Sequence, residues 1–435
     1  MNYPETIDYL YHKLPLFSRI GSAAFKKDLT NTRLLCDFLG NPQQQFKSIH
    51  VGGTNGKGSV SHMLAAVFQT SGYTTGLYTS PHLYDFRERI RVNGVMADEA
   101  FVVSFVERIE PLIEQYEPSF FEITVAMAFE YFAQKKVDIA IVEVGLGGRL
   151  DSTNIITPEL SVITNIGWDH MNMLGDTLEQ IASEKAGIIK QSVPVVIGER
   201  KKDTETVFID KARSTHSLLV FASDQYKAIS QEWDGDKTTI SLEKKGNPSM
   251  QFELDLPGLY QQKNLATALT ALDILRSSGY KLNEENIHKG LKHVKQLTGL
   301  MGRWDILRKS PLVILEVAHN KDGMHEMLKH LEKLTYRQLH VVIGMVRDKD
   351  AAPVLELLPA NACYYFTQAQ IPRALPSVEL QAKARSFSLE GNTYTNVNDA
   401  LQEAISNAAP DDLVIVCGSI FLVAEVNKES ILQHT

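Results

Sequence analysis

The chain has 435 residues, more than one hydrophobic core usually covers, so two or three domains are expected. Apolar residues make up 44% of the sequence and charged residues 22%, a composition typical of soluble globular proteins. With 44 Lys and Arg against 52 Asp and Glu, the net charge is −8, which argues against a general nucleic-acid-binding protein.

Cysteine spacing and apolar runs bear on the compartment. The three cysteines are widely separated and form no metal-ligand spacing, which favours a reducing environment. The first residues show no basic region followed by an apolar stretch, and no run of about 18 apolar residues occurs that could span a membrane. We therefore expect a cytoplasmic protein with no membrane partner.

In chain order, residues 1–40 are predicted to be helical with a loop at 21–27, and a strand at 49–51 then enters a glycine-rich segment. A helix is predicted from Val60 to Phe68. Backbone N–H groups of such a loop, with Lys57 at the helix start, can bind phosphates. The segment departs from the general P-loop pattern, which has glycine at the position of Val51 and Ser or Thr at that of Gly58. A plain glycine-rich turn is the alternative, but four glycines around one lysine favour a phosphate site.

The next predicted strand, Thr75–Tyr78, runs into a polar loop that contains Ser80, His82 and Arg87. A solvated loop with an ion-pair patch is the alternative. Helices are predicted over 98–115 and 121–134.

Polar residues also follow two later predicted strands, 137–144 and 160–166. Because open α/β sheets bind ligands beyond the carboxyl ends of their strands, Glu143 and His170 are candidate metal or phosphate residues. The alternatives are a buried ion pair for Glu143 and a structural histidine for His170. Lys185 lies among small and apolar neighbours on a helix predicted from Thr177; burial would lower its pKa, whereas reaching solvent along its apolar stem would not.

Residues 194–198 predict another strand, and residues 217–256 predict a small antiparallel insert. A helix over 260–278 places Asn264 in its first turn. We interpret 294–302 as a linker, after which strands and helices alternate again. The prediction is therefore an α/β protein: a P-loop-type parallel-sheet ATPase domain with a small antiparallel insert (1–297) and a smaller Rossmann-like C-terminal α/β domain (298–435).

Taken together, these motifs resemble the folylpolyglutamate synthase/dihydrofolate synthase family of the Mur ligase superfamily. The resemblance covers nearly the whole chain in the family's order. The segments that carry it are 53–59, 79–83, 87–90, 143–154, 169–170, 184–188, 302–303, 318–320 and 348–350. Ser-Pro-His at 80–82 and Gly-Leu-Gly-Gly-Arg-Leu-Asp at 145–151 indicate the folate branch in particular.

The resemblance implies an ATP-dependent ligase that joins L-glutamate to dihydropteroate or folate through an acyl phosphate. It implies ATP contacts for Asn55, Gly56, Lys57, Gly58, Ser59, Asn264, Arg303 and Glu316, and catalytic roles for Lys57, Lys185 and His319. It implies Mg²⁺ ligands at Ser80, Glu143 and His170. It implies acceptor contacts at Gly21–Ala24, His82, Arg87, Ser119, Phe120, Phe121 and Leu150.

As cofactors, the resemblance implies ATP, Mg²⁺, a carbamate on Lys185 and a monovalent cation. We expect a monomer whose partners are small molecules, with closure of the two domains on binding. The sequence departs from the family at position 316, where Glu stands in place of the usual Asp, and at Val317, where the family has Gly.

Two alternatives stay open at this point. A related ligase that builds cell-wall peptide would need a uridine-nucleotide-binding domain before the glycine loop, where only about fifty residues stand. A nucleotide-dependent binding module would need no acceptor site, and the Ser-Pro-His loop argues against it.

Overall fold

The structure is a computed structural model that describes residues 1–16, 21, 28–235 and 237–432. The chain divides into two compact units; among the described residues the first ends at Leu300, and the second contains Gly21 and the residues from Met301 onward. Among the described helices, none combines the length and the apolarity that crossing a membrane requires.

A large sheet organises the first unit. Its strands are β1 (Lys47–Gly52), β2 (Thr75–Tyr78), β3 (Ile90–Val92), β4 (Val95–Met96), β5 (Ile139–Glu143), β6 (Leu160–Ile163), β7 (Val195–Ile197) and β8 (Leu219–Phe221). The described strands run in the order β4-β3-β2-β5-β1-β6-β7-β8. All pair in parallel except β3 and β4, which form an antiparallel hairpin at one edge. The central strands β1 and β5 are buried along nearly all of their length, as expected of a sheet covered by helices on both sides.

The helices of the first unit cover this sheet. They span Tyr3–Lys13, Thr30–Phe38, Lys57–Thr70, Glu99–Tyr116, Phe120–Gln134, Met171–Leu174, Leu178–Ala186, Glu205–Ser214, Ala222–Gln225, Gln261–Ser277, Glu284–Lys292 and Val294–Thr298. Single 3-10 turns lie at Pro42–Gln44, Phe86–Arg89 and Ser152–Ile155. The helix that follows the glycine loop is almost entirely buried from Gly58 to Phe68, so the loop rests on a rigid support.

The predicted insert is a separate three-stranded sheet of β9 (Tyr226–Trp233), β10 (Thr238–Lys244) and β11 (Ser249–Leu254), all antiparallel. The prediction that residues 219–221 belong to the insert is wrong, because they extend the large sheet in parallel to β7. The expectation of a linker from residue 294 is wrong for its first residues. Val294–Thr298 is a helix because Val294 and Thr298 are fully buried and Asp255 Oδ2 accepts from the Lys295 amide at 2.8 Å.

The second unit has a six-stranded sheet over the described residues. It contains β12 (Asp305–Lys309), β13 (Leu312–Leu315), β14 (Leu339–Ile343), β15 (Cys363–Phe366), β16 (Gly391–Thr393) and β17 (Leu413–Cys417), in the order β12-β13-β17-β14-β15-β16. The helices are Lys321–Leu331, Ala352–Leu355, Ser377–Arg385, Val397–Asn407, Ile420–Ala424 and Lys428–Leu432. The predicted α/β fold class is confirmed. Strand β12, which the sequence did not reveal, pairs antiparallel to β13.

Strand register brings the predicted polar loops to one edge of the large sheet. Val51 pairs with Glu143, Tyr78 with Val142, and Gly52 with Ile163. Strands β1, β2, β5 and β6 therefore end at the same level, and the segments that follow them emerge side by side.

Candidate active site

The glycine loop leaves β1 and turns sharply into the helix Lys57–Thr70. Gly53 and Gly56 have φ of +141° and +85°, backbone conformations that favour glycine. Neither position has room for a side chain. A Cβ on Gly53 would lie 1.9 Å from Thr164 Oγ1, and one on Gly56 would lie 2.3 Å from Asn264 Oδ1. After this turn the loop runs directly into the N-terminus of a long buried helix. Backbone N–H groups at the N-terminus of a helix can bind phosphate.

The segment after β6 braces this loop. Thr164 Oγ1 donates to Asn55 O at 2.6 Å, Asn55 N donates to Asn165 Oδ1 at 2.9 Å, and Thr54 N donates to Asn165 O at 3.0 Å. Sequence reasoning did not single out Thr164 or Asn165. The available signal was the one used for Glu143 and His170, namely polar residues directly past a buried strand.

Two lysines meet at the loop. Lys57 Nζ donates to Thr54 O at 3.2 Å and Lys185 Nζ donates to Gly53 O at 2.9 Å. Lys185 is 4% exposed, so desolvation, with the Lys57 charge as a second cause, lowers the pKa of Lys185 to about 7. The burial that the sequence suggested for Lys185 is present, and its amine is neutral in a large fraction of molecules near neutral pH.

Glu143 ends β5 with its carboxylate inside the protein. It is 5% exposed, and Oε2 accepts from the Ser80 amide at 3.1 Å. A buried carboxylate beside a hydroxyl-bearing residue, next to a phosphate-type loop, fits Mg²⁺, which prefers oxygen ligands and keeps several waters. Among the described residues, no group of three or more His, Cys, Asp and Glu is spaced to hold a metal. Phosphate oxygens and water would therefore have to complete the coordination of a Mg²⁺ ion at Ser80 and Glu143.

His170 follows β6 in a left-handed backbone conformation, with φ of +51°. Its amide donates to Asp169 Oδ1 at 2.9 Å, and its Nε2 lies 3.8 Å from the same oxygen. Its side chain is partly exposed. His170 as a third metal ligand stays a prediction.

Asn264 reaches the glycine loop from the helix Gln261–Ser277. It is 7% exposed, and its Oδ1 is the end that faces Gly56. The structure therefore brings Asn264 to the glycine loop, and its contact with ATP stays a prediction.

The expected acceptor residues include several at the start of the helix Phe120–Gln134 and one in the loop after β5. Ser119 caps the helix Phe120–Gln134, with its amide donating to Glu122 Oε2 at 2.6 Å. Phe121 lies against the end of β5, since a Cβ on Gly145 would sit 2.3 Å from its ring. Leu150 is partly buried and Phe120 is buried in the core.

Asp151 sets the shape of the loop after β5. Its carboxylate is 2% exposed and accepts from the Leu146 amide at 2.8 Å and the Thr153 amide at 3.0 Å. Desolvation raises the pKa of this carboxyl. The buried carboxylate of Asp151 thus helps to hold the loop that carries Leu150.

His82 lies in an aromatic cluster rather than in open solvent. Arg89 Nε donates to its Nδ1 at 2.7 Å, so Nε2 carries the proton and donates to the Tyr11 hydroxyl at 3.1 Å. Burial, followed by the Arg89 charge, lowers the pKa of His82 to about 3. Sequence reasoning did not single out Arg89, although the Arg-Glu-Arg-Ile motif contains it.

Arg87 has two acidic partners. Its Nη2 donates to Asp85 Oδ2 at 2.7 Å and its Nη1 lies 3.1 Å from Glu99 Oε1, while the guanidinium covers the Tyr3 ring. Of Gly21–Ala24, only Gly21 is among the described residues, so that expectation lies largely outside them.

In the second unit, Glu316 follows β13. It is 3% exposed, and its Oε2 accepts from the Trp304 amide at 3.1 Å, which fixes the backbone beside Arg303. His319 Nδ1 lies 2.9 Å from Val317 O; because a carbonyl only accepts, Nδ1 carries the proton. Arg303, Glu316 and His319 thus belong to one end of the second sheet.

Comparisons with known proteins match both units of the chain to one superfamily of ligases. A model of the Mur ligase middle domain matches residues 51–272, and a model of the Mur ligase glutamate ligase domain matches residues 302–420. The folylpolyglutamate synthase of Lacticaseibacillus casei is 34% identical over 98% of this chain and 98% of its own length.

Two solved structures extend the agreement to the fold. Folylpolyglutamate synthase from Thermotoga maritima is 35% identical, with a TM-score of 0.80 over 100% of this chain and 97% of that chain. The Escherichia coli FolC in complex with DHPP and ADP is 30% identical, with a TM-score of 0.84 over 100% of this chain and 99% of that chain.

The fold and the glycine-loop site define an ATP-dependent ligase of the Mur type. Within that class, the chain belongs to the folylpolyglutamate synthase/dihydrofolate synthase family, the ligases that join glutamate to folates. This family membership favours the folate ligase over both alternatives that the sequence left open.

Proposed function

We propose that this protein ligates L-glutamate to dihydropteroate and to reduced folates, using ATP and Mg²⁺. The observation that carries the proposal is the meeting of the glycine loop, Lys57, Glu143 and Lys185 at one edge of the large sheet. The resemblance to a FolC solved with DHPP and ADP supports both the nucleotide and the acceptor.

In the first step, an acceptor carboxylate oxygen attacks the γ-phosphorus, the bond to the bridging oxygen breaks, and ADP leaves. Amides of Asn55 to Ser59 and the Lys57 ammonium hold the phosphates and balance their charge. A bound Mg²⁺ would neutralise charge on the phosphate oxygens, with Ser80, Glu143 and His170 as its protein ligands.

In the second step, the glutamate amine attacks the acyl carbon, a C–N bond forms, and phosphate leaves with the oxygen that the acceptor supplied. The amine also loses a proton, which a nearby base or water must take. Water must be kept from the acyl phosphate, or hydrolysis of ATP replaces ligation.

Lys185 is proposed to act as a carbamate. Its neutral amine would attack CO₂, form an N–C bond and release one proton, which converts the neutral amine into an anionic carbamate beside the metal site. Burial supports this role because it lowers the pKa of the amine to about 7.

The acceptor is proposed to lie along the loops after β2 and β5, against His82, Arg87, Ser119, Phe120, Phe121 and Leu150. Phe121 offers a partly buried ring beside the open end of β5, which suits stacking on a flat heterocycle. Arg303, Glu316 and His319 are proposed to contribute to ATP binding, His319 at the transferring phosphate.

A monovalent cation is proposed as a further cofactor. The remaining proposals are a cytoplasmic monomer with small-molecule partners and no nucleic-acid partner. The negative net charge supports the last of these.

The test is ADP release by the purified protein with dihydropteroate and tetrahydrofolate assayed in parallel, each with and without L-glutamate. We expect release that requires both an acceptor and L-glutamate, with a product heavier by one glutamyl residue. ADP release indifferent to both would contradict the proposal. Lys57→Ala should abolish release, whereas Lys135→Ala, which removes a half-exposed lysine paired with Asp98, should not.

A further inference from the structure

Gln261 is a buried polar residue that lies between two parts of the nucleotide site. It begins the helix Gln261–Ser277 and is fully buried. Its Oε1 accepts from Asn264 Nδ2 at 2.9 Å, and its Nε2 lies 3.5 Å from Ser59 Oγ. Ser59 is in the first turn of the helix that follows the glycine loop and is 1% exposed.

These contacts determine which end of the Asn264 amide faces the glycine loop. Because the amine of Asn264 donates to Gln261, the carbonyl end points towards Gly56. A Cβ on Gly56 would lie 2.3 Å from Asn264 Oδ1 and 3.7 Å from Nδ2. Gln261 therefore holds Asn264 in one orientation at the N-terminus of the helix Lys57–Thr70.

We propose that Gln261 is a positioning residue for the nucleotide, acting through Asn264. The inference rests on the proposed function, in which ATP lies at the glycine loop and contacts Asn264. Gln261 is enclosed by protein, so it acts by orienting Asn264 before ATP arrives.

An amide that is already oriented loses less rotational freedom when a ligand binds, which raises affinity without a new contact. The amide–amide hydrogen bond is worth about threefold to tenfold in affinity. Its loss should therefore appear in nucleotide affinity rather than in the chemical step.

The experiment is a double-mutant cycle of Gln261→Met, Asn264→Ala and the pair, with a non-hydrolysable ATP analogue titrated calorimetrically. Methionine keeps the length and most of the volume of glutamine but cannot form the hydrogen bond. We expect Gln261→Met to weaken binding about threefold to tenfold, and the double variant to bind no more weakly than Asn264→Ala alone. The KM values for acceptor and L-glutamate should stay unchanged.

Thr270→Val is the matched control. Thr270 is 2% exposed on the same helix, and its hydroxyl donates to Ala266 O within that helix. This variant loses a buried hydrogen bond without touching Asn264, so its nucleotide affinity should equal that of the wild type.

Three outcomes would overturn the inference, and they differ from failure of the proposed function. If Gln261→Met binds the ATP analogue with normal affinity, even with a lowered melting temperature, Gln261 has a purely structural role. Additive losses in the cycle would show that it does not act through Asn264. If Asn264→Ala itself binds the analogue normally, the nucleotide contact of Asn264 fails, and the role of Gln261 fails with it.

Discussion

Two glycines of the loop are required for both conformation and space. Gly53 and Gly56 combine a positive φ with a neighbouring side chain where a Cβ would lie. The motif predicted that glycine is needed in this loop, but only the structure shows which neighbouring atoms leave no room for a side chain.

Gly56→Ala should abolish nucleotide binding, because its methyl group would overlap Asn264 Oδ1 at the start of the phosphate-binding helix. The measurement is calorimetric titration of an ATP analogue. Gly72→Ala is the matched control: Gly72 follows the same helix with φ of +86°, and a Cβ there meets nothing within 4 Å. The control should lose about 1–2 kcal/mol of stability and keep normal affinity, and normal affinity in Gly56→Ala would contradict the site.

We expect Lys185 to take part in the reaction, although its hydrogen bond to Gly53 O would also stabilise the glycine loop. Lys185→Ala should lose turnover and regain part of it with added short carboxylates, which replace the anionic group of a carbamate. Turnover is measured as ADP release across a series of acetate concentrations. Unimpaired turnover without carboxylate would remove the carbamate from the mechanism.

The lowered pKa of Lys185 has a consequence for stability with a definite sign. Between the folded pKa of about 7 and the ordinary lysine pKa of 10.5, the unfolded chain binds more protons than the folded one, so stability rises with pH across this interval. The free energy of unfolding of the wild type relative to Lys185→Met should therefore increase from pH 7 to pH 10 in denaturant titrations. If this difference in the free energy of unfolding stays constant or falls as the pH rises, burial does not lower the pKa of Lys185.

At the scale of elements, the site depends on four parallel strands ending together. The loop after β1 is held by the segment after β6, and Glu143 ends β5 beside the loop after β2. Each of these elements could be predicted from its own apolar pattern. The bracing could not, because it joins residues more than 100 positions apart.

Thr164→Val tests this brace. The substitution keeps the shape of the side chain but removes the hydroxyl that donates to Asn55 O, so the KM for ATP should rise about tenfold. Ser161→Ala on β6, the strand that precedes Thr164, is the control, since its hydroxyl donates to Ile188 O instead of the glycine loop. Steady-state kinetics with varied ATP measures both variants, and equal KM values would exclude a role for the brace.

At the scale of the whole molecule, the two units carry different parts of the expected ATP site. The first holds the glycine loop and Asn264, and the second holds Arg303, Glu316 and His319. Each unit has its own sheet and its own buried core.

If both units contact one nucleotide, binding should bring them into a more compact arrangement. Small-angle scattering should then show a smaller radius of gyration with an ATP analogue and folate together than without ligand. Lys57→Ala under the same conditions is the control that should not compact. An unchanged radius for the wild type would count against a shared site.

The sequence by itself determined the strands that lead into the site and the polar residues at their ends, because these follow from local periodicity and residue type. The bounds of β2 match the prediction residue for residue. Only the tertiary structure decided that Asn264 donates a hydrogen bond to Gln261, that Thr164 bonds the glycine loop, that Arg89 bonds His82 and that β12 runs antiparallel. These features depend on strand order and register, which bring together residues far apart in the chain and leave no local pattern in the sequence.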